Sequence, residues 1–211
     1  MLKRLLLLSG IACSGVCFAQ EFEIGGAAGY AFSRNASITR GDASAGAGVR
    51  RGVAFSAVAG NQMHRHLGGE LRYTYRDNDF RVSAVGQDFT FPGKAHIVHY
   101  DALLTPVSTQ SRVQPYIAFG GGVKIYQGTG IEREFQGLER FAVLTKTQEV
   151  LPMLSLGVGV RLRIANHAFL RFDFRDYISP FPARVIMPAP GTALRGWLHD
   201  FTPMVGISAF F

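Results

Sequence analysis

The chain has 211 residues, 47% of them apolar and 18% charged, with a formal charge of +7. That length suits one domain, the basic excess contains no Lys/Arg run of the kind that binds nucleic acid, and no internal apolar stretch reaches the roughly 20 residues of a membrane helix. Both cysteines, Cys13 and Cys17, fall within the first 20 residues, which excludes disulfides and thiolate metal sites from the remainder.

Those first residues, MLKRLLLLSGIACSGVCFAQ, have the three parts of a secretory signal: basic Lys3 and Arg4, an apolar run from Leu5 to Val16, and small Ala19 at the cleavage point. Residues 1–19 are expected to be removed, leaving residues 20–211 as one all-β unit with a charge of about +5. Val16 stands where lipoprotein signals carry a small residue, which disfavours lipidation at Cys17. After export, a chain without a membrane helix can enter a bilayer only as a closed barrel, the other structure that satisfies every backbone group in lipid.

Eight candidate strands follow, each alternating with period two. In EFEIGGAAGYAF, Phe22, Ile24, Ala28 and Tyr30 oppose Glu23, Gly25, Ala27 and Gly29. A second strand spans residues 47–60, with Val53, Phe55 and Ala57 apolar. HLGGELRYTY sets Leu71, Tyr73 and Tyr75 against Glu70, Arg72 and Thr74, and residues 95–104 set Val98, Tyr100, Ala102 and Leu104 against His99 and Asp101. PYIAFGGGVKIY places Ile117, Phe119, Val123 and Ile125 opposite Ala118, Gly120, Gly122 and Lys124. LSLGVGVRLRI opposes Leu154, Leu156, Val158, Val160 and Leu162 to Ser155, Gly157, Gly159, Arg161 and Arg163. In FLRFDFRDY, Leu170, Phe172 and Phe174 alternate with Arg171, Asp173 and Arg175; FTPMVGISAFF ends the chain with Phe201, Val205, Ile207, Ala209 and Phe211 in phase.

The links between them sort into two sets. Short ones near residues 61–65, 105–112 and 165–167 alternate with long ones spanning about 33–44, 76–88, 127–150 and 179–195. Outer-membrane barrels have this asymmetry, with short periplasmic turns and longer external loops. Glycine and alanine share the face that carries the charges, as the narrow interior of an eight-stranded barrel requires, while the other face is aliphatic and aromatic and suits lipid. The expected fold is therefore an eight-stranded antiparallel up-and-down transmembrane β-barrel. Its lumen would hold Glu23, Glu70, Arg72, Asp101, Lys124, Arg161, Arg163, Arg171, Asp173 and Arg175, paired into an ionic plug because isolated buried charges cost several kcal/mol each. A soluble carrier with an apolar ligand inside is disfavoured by that ionic face.

The export signal, eight alternating strands, sorted links and the terminal SAFF make the chain resemble the small outer-membrane β-barrel proteins of the OmpA-like and OmpX-like family. The resemblance spans residues 20–211 and rests on pattern. It implies a bacterial outer-membrane location and recognition of the last strand, with Phe201 and Phe211, by the barrel-assembly machinery. Longer OmpA-like proteins append a peptidoglycan-binding domain that these residues do not contain, so cell-wall anchoring is not expected. Pro203 within the last strand removes a ladder donor and predicts a bulge.

Arg40-Gly41-Asp42 spells an adhesion tripeptide, but three-residue motifs recur by chance, and a glycine turn beside solvated charges is the expected reading. His99 with Asp101, and His199 with Asp200, suggest a hydrolase dyad only if a nucleophile lies within reach, and no Ser–His spacing of that sort is present. The link SPFPARVIMPAPGTALR holds four of the nine prolines together with Phe181, Val185, Ile186 and Met187; it either folds over the barrel mouth or meets a partner, or else rests on outer-leaflet lipid. Tyr30, Tyr73, Tyr75, Tyr100, Tyr116 and Trp197 are expected in the interfacial girdle. The role expected is structural or surface interaction, without catalysis, cofactor or metal, in a monomer whose partners are outer-membrane lipid, the assembly machinery and a surface ligand at the external loops. A narrow solute channel is the alternative, and a lipid-modifying barrel enzyme the third reading.

Overall fold

The computed structural model describes residues 22–108 and 110–211, so the expected export signal with Cys13 and Cys17 lies outside the described residues. Fifteen strands follow one another: β1 (Phe22–Arg34), β2 (Ala36–Arg40), β3 (Ala43–Val49), β4 (Gly52–His64), β5 (Leu67–Asp77), β6 (Phe80–Ala84), β7 (Gln87–Phe91), β8 (Gly93–Leu104), β9 (Val113–Gly128), β10 (Ala142–Leu144), β11 (Gln148–Ala165), β12 (Ala168–Ser179), β13 (Ile186–Pro188), β14 (Ala193–Arg195) and β15 (Leu198–Phe210). Eight of them close a barrel in the order β1-β15-β12-β11-β9-β8-β5-β4, every pair antiparallel and every neighbour the next barrel strand along the chain. The seam is sealed by β1 against β15 from Glu23↔Phe210 to Arg34↔His199, and by reciprocal backbone bonds between Phe22 and Phe211.

The barrel is inside out. Rows such as Phe22, Ile24, Leu154, Leu156, Val158, Val205 and Ile207 stand exposed, Ile24 and Ile207 by about 60%, whereas the bulkiest fully buried side chains among the described residues are Arg72, Arg76, Arg171 and Arg175. A surface of that kind is stable only against hydrocarbon. Glycines on the inward rows make room for the long polar groups. A Cβ at Gly157 would collide with the Arg175 side chain, and one at Gly159 with the Tyr116 ring.

The start of β1, the end of β15 and three short connections occupy one end: Arg65 and His66 between β4 and β5, the link between β8 and β9, and Asn166 and His167 between β11 and β12. The four long links all leave from the other end, the first two built mainly of strands and the last two carrying short ones. The strands β14-β2-β3-β6-β7 form a five-stranded sheet and β10-β13 a two-stranded one. Together they build a cap with its own core, in which Ile38, Val82, Phe141, Leu144, Val185 and Ile186 are buried. That core also takes in Ala95, Tyr126 and Leu198 from inward rows of the barrel rim, so the cap sits on the outer mouth. The Pro-rich link belongs to it: Phe181, Val185 and Ile186 are buried there while Met187 is half exposed.

Three details differ from the sequence-based expectation. The expected strand over residues 47–60 is two strands, because the chain leaves the cap sheet at Val49 and enters the barrel at Gly52, with Arg50 N–H bonded to the Asp79 carbonyl between them. Pro203 makes no bulge: Phe174↔Pro203 lies within an unbroken register to β12, and Gly29↔Met204 and Phe32↔Phe201 keep one register to β1. The missing N–H interrupts pairing without adding a residue, and register shifts occur instead near the inner turns, at Gln62/His64 and Arg163/Ala165. Tyr116 points inward, 2% exposed, since it shares the phase of Ala118 and not that of Ile117.

Candidate functional site in the lumen and at the outer mouth

Alternation on five strands aims charges at one axis, and their register sets which of them meet. At the inner end Glu23 of β1 accepts from Arg161 of β11 at 2.6 Å and from Arg171 of β12 at 2.8 Å. Arg171 reaches on to Glu70 of β5 at 2.5 Å. Glu70 also holds Arg72 at 2.7 Å and Arg175 at 3.2 Å, and both arginines share Asp173, at 3.1 and 3.3 Å. Arg175 then pairs with Asp101 of β8, which accepts from Ser155 Oγ at 3.1 Å and faces His99 Nδ1 at 2.9 Å. Tyr116 donates to Asp173. Four carboxylates thus meet four guanidiniums in one continuous cluster, a balance that removes the net charge a desolvated interior would penalise.

A second, smaller cluster lies nearer the outer mouth. Asp200 of β15 pairs with Arg76 at 2.8 Å and with Lys124, and accepts from Ser33, which itself accepts from Arg76 at 3.3 Å. Neutral groups fill the level between the clusters: Thr74 lies within 3.3 Å of Ser56 and 3.4 Å of the Tyr177 hydroxyl. Above them the Tyr126 hydroxyl meets Ser179 at 2.8 Å, and its ring packs 6.2 Å from that of Phe80 in the cap. At the inner mouth a cavity of about 20 Å³, lined by Glu23, Gln62, Gln114, Arg161 and Phe169 among others, has room for about one water.

The ten expected luminal residues therefore separate into three groups. Eight form the inner cluster. Lys124 belongs to the outer one, and Arg163 sits at the inner rim against the rings of Phe169 and Phe210, 5.3 and 5.1 Å from their centroids. Sequence reasoning missed Arg76, Asp200 and the inward Tyr116, although the rows Arg72-Thr74-Arg76 and Asp200-Thr202 continue the alternation one step past where each strand was ended. His199 and Asp200 point to opposite faces, His199 pairing with Asp176 at 2.8 Å, so they form no dyad. His99 and Asp101 do meet, but with Arg175 and Ser155 as further Asp101 partners they are one corner of the ionic cluster. Arg40-Gly41-Asp42 is the exposed turn between β2 and β3, with Gly41 at φ +58°. Phe201 packs outward against Phe32 and Phe174, at 5.6 and 6.1 Å between centroids, and Phe211 is exposed beside the seam.

No family model and no curated protein matches this sequence. Solved structures do match it. Neisserial surface protein A is 15% identical with a TM-score of 0.58, over 90% of this chain and 97% of that one. The outer membrane protein OprG of Pseudomonas aeruginosa is 14% identical at 0.58, over 90% and 95%. A major outer membrane protein of Thermus thermophilus is 14% identical at 0.56, over 92% and 100%. The chain thus has the fold of these small eight-stranded outer-membrane β-barrels.

Proposed function

We propose that this protein is a non-conducting outer-membrane barrel whose role is structural or surface interaction and not catalysis. The observation that carries this reading is the doubly blocked axis: a charge-balanced ionic cluster fills the inner half, and an apolar cap core that includes Tyr126 and Leu198 lies over the outer mouth. Working groups of a channel would line an open path, and those of a hydrolase would stand free to receive a proton from a nucleophile. Here the carboxylates are engaged by guanidiniums. What the outside receives is a folded platform of hairpins, a form suited to presenting a surface.

On this reading the barrel is monomeric, enters the membrane through the assembly machinery with Phe201 and Phe211 in its recognised last strand, and works without cofactor. Residues 20–211, refolded into detergent, should migrate faster unboiled than boiled on a cold gel and give no discrete conductance in a planar bilayer. Stable conductance steps would replace the plug with a narrow solute channel. Hydrolysis of outer-leaflet lipid by the refolded protein would replace it with an enzyme.

A further inference from the structure

A cleft of about 520 Å³ opens where the outer end of β1 meets the cap, lined by Tyr30, Phe32, Arg50, Arg51 and Arg81 among others. Its two halves differ in chemistry. Tyr30 and Phe32 belong to the outward row of β1, both more than 40% exposed, and Phe32 continues into the Phe201 ring. Arg34 follows them on the same row, exposed at the strand end. The other half is cationic.

The three guanidiniums are held to different degrees. Arg81 grips Asp88 through Nε and Nη2 at 2.7–3.0 Å, which leaves Nη1. Arg50 has one long contact, to Asp79 at 3.5 Å, with both side chains roughly half exposed, a pair of little worth in solvent. Arg51 is exposed and has no hydrogen bond or ion pair among the described residues. A folded surface that leaves cations side by side with so little compensation favours an anion, and a planar fork suits phosphate oxygens. The aromatic half demands that this anion be attached to an apolar body.

We propose that this cleft binds the phosphate of an anionic, acylated lipid in the outer leaflet, with Arg51 and Arg50 on the phosphate and Tyr30 and Phe32 against the acyl region. The assignment rests on the outer-membrane placement of the apolar band. A soluble polyanion would engage the arginines but leave the aromatic wall unused, and a neutral lipid would do the reverse. Asp79 competes with the ligand for Arg50, so the lipid displaces a weak pair and not a strong one.

The test uses residues 20–211 refolded in zwitterionic detergent, with the cold-gel mobility shift establishing that each variant is a barrel. The probes are bisphosphorylated lipid A, the same lipid after phosphatase treatment, and inorganic pyrophosphate, followed by native mass spectrometry. The phosphorylated lipid should bind about tenfold or more tightly than the treated one, and Arg51→Gln should weaken it about tenfold. Adding Arg50→Gln weakens it further, Asp79→Asn strengthens it, and Arg112→Gln at the opposite end of the barrel leaves it unchanged. Arg51→Gln removes no contact within the protein and so keeps the fold. Equal retention of both lipids, unaltered binding by the Arg50/Arg51 double variant, or competition by pyrophosphate at the concentration of the lipid would each overturn the proposal. Loss of the mobility shift in the unsubstituted chain would instead overturn the barrel placement.

Discussion

Glu70 has three guanidiniums within 3.2 Å, those of Arg72, Arg171 and Arg175, and all four side chains are withdrawn from solvent. Such a group acts less as a source of stability than as the counterion without which its neighbours repel. Glu70→Ala should therefore lower stability by about 3–5 kcal/mol, the cost of leaving buried charge uncompensated, measured by urea unfolding from lipid vesicles. The exposed Arg81–Asp88 pair is geometrically as good at 2.7 Å, yet with side chains 37% and 52% exposed, Asp88→Ala should cost less than about 1 kcal/mol in the same measurement. A similar loss at both sites would show that the lumen is hydrated well enough to screen its charges. At this scale the sequence is informative about which face a residue takes, since alternation fixes that, and much less about partners. Glu70 meeting Arg171 depends on β5 and β12 facing one another across the axis, a relation between positions 101 residues apart that no local pattern carries. The luminal place of Arg76 and Asp200 went unread for a simpler reason: nothing in the alternation marks where a barrel strand leaves the bilayer.

Among the elements, the barrel strands and the cap strands differ in how plainly they are written. The sixth expected strand, with ten or more residues in strict alternation, falls within the 18 residues of β11, and its pairing with β9 and β12 leaves little freedom of register. The cap strands have three to seven residues, too few to stand out from a loop, and β3 is made of Ala, Ser and Gly before Val49. Their signal is present in miniature, as in Phe80-Arg81-Val82-Ser83-Ala84, whose apolar members are all buried. What makes them strands is the shared core, a tertiary effect that overrides weak local preference. The cap should accordingly fail independently of the barrel. Ile186 is fully buried in that core, so Ile186→Ala should cost it about 2–5 kcal/mol. Limited proteolysis of the folded variant in detergent would then cut within residues 129–147 or 180–197 while the cold-gel shift persists. If the shift is lost together with protease resistance, cap and barrel are one cooperative unit.

For the molecule as a whole, topology was the most legible property, because it is encoded redundantly. Short and long links alternate, an even strand count returns both termini to one end, and the small residues side with the charges. Together they point to a closed up-and-down barrel in lipid. The ionic plug was legible in the inward rows, and the Pro-rich link was one candidate to cover the mouth; what no sequence pattern conveyed is that the other long links join it in an apolar layer lying in series with the ionic one. Series seals make a specific demand on conductance. A cap variant such as Ile186→Asp, which places a charge in the apolar core, should still be silent in a planar bilayer because the inner cluster remains. Replacing Glu70 and Arg171 together by Ala, which removes a cation and an anion at once and keeps the charge balance, should also be silent because Phe80, Tyr126 and Leu198 still lie over the mouth. Only the combination of the two should conduct, in steps that fall as salt is lowered. Conductance from the cap variant alone would mean that water already threads the ionic cluster, and would move the burden of closure to the outer mouth. Silence from the combination would mean that the layers left in place, Thr74 with Tyr177 and the Asp200 cluster, close the lumen by their own packing.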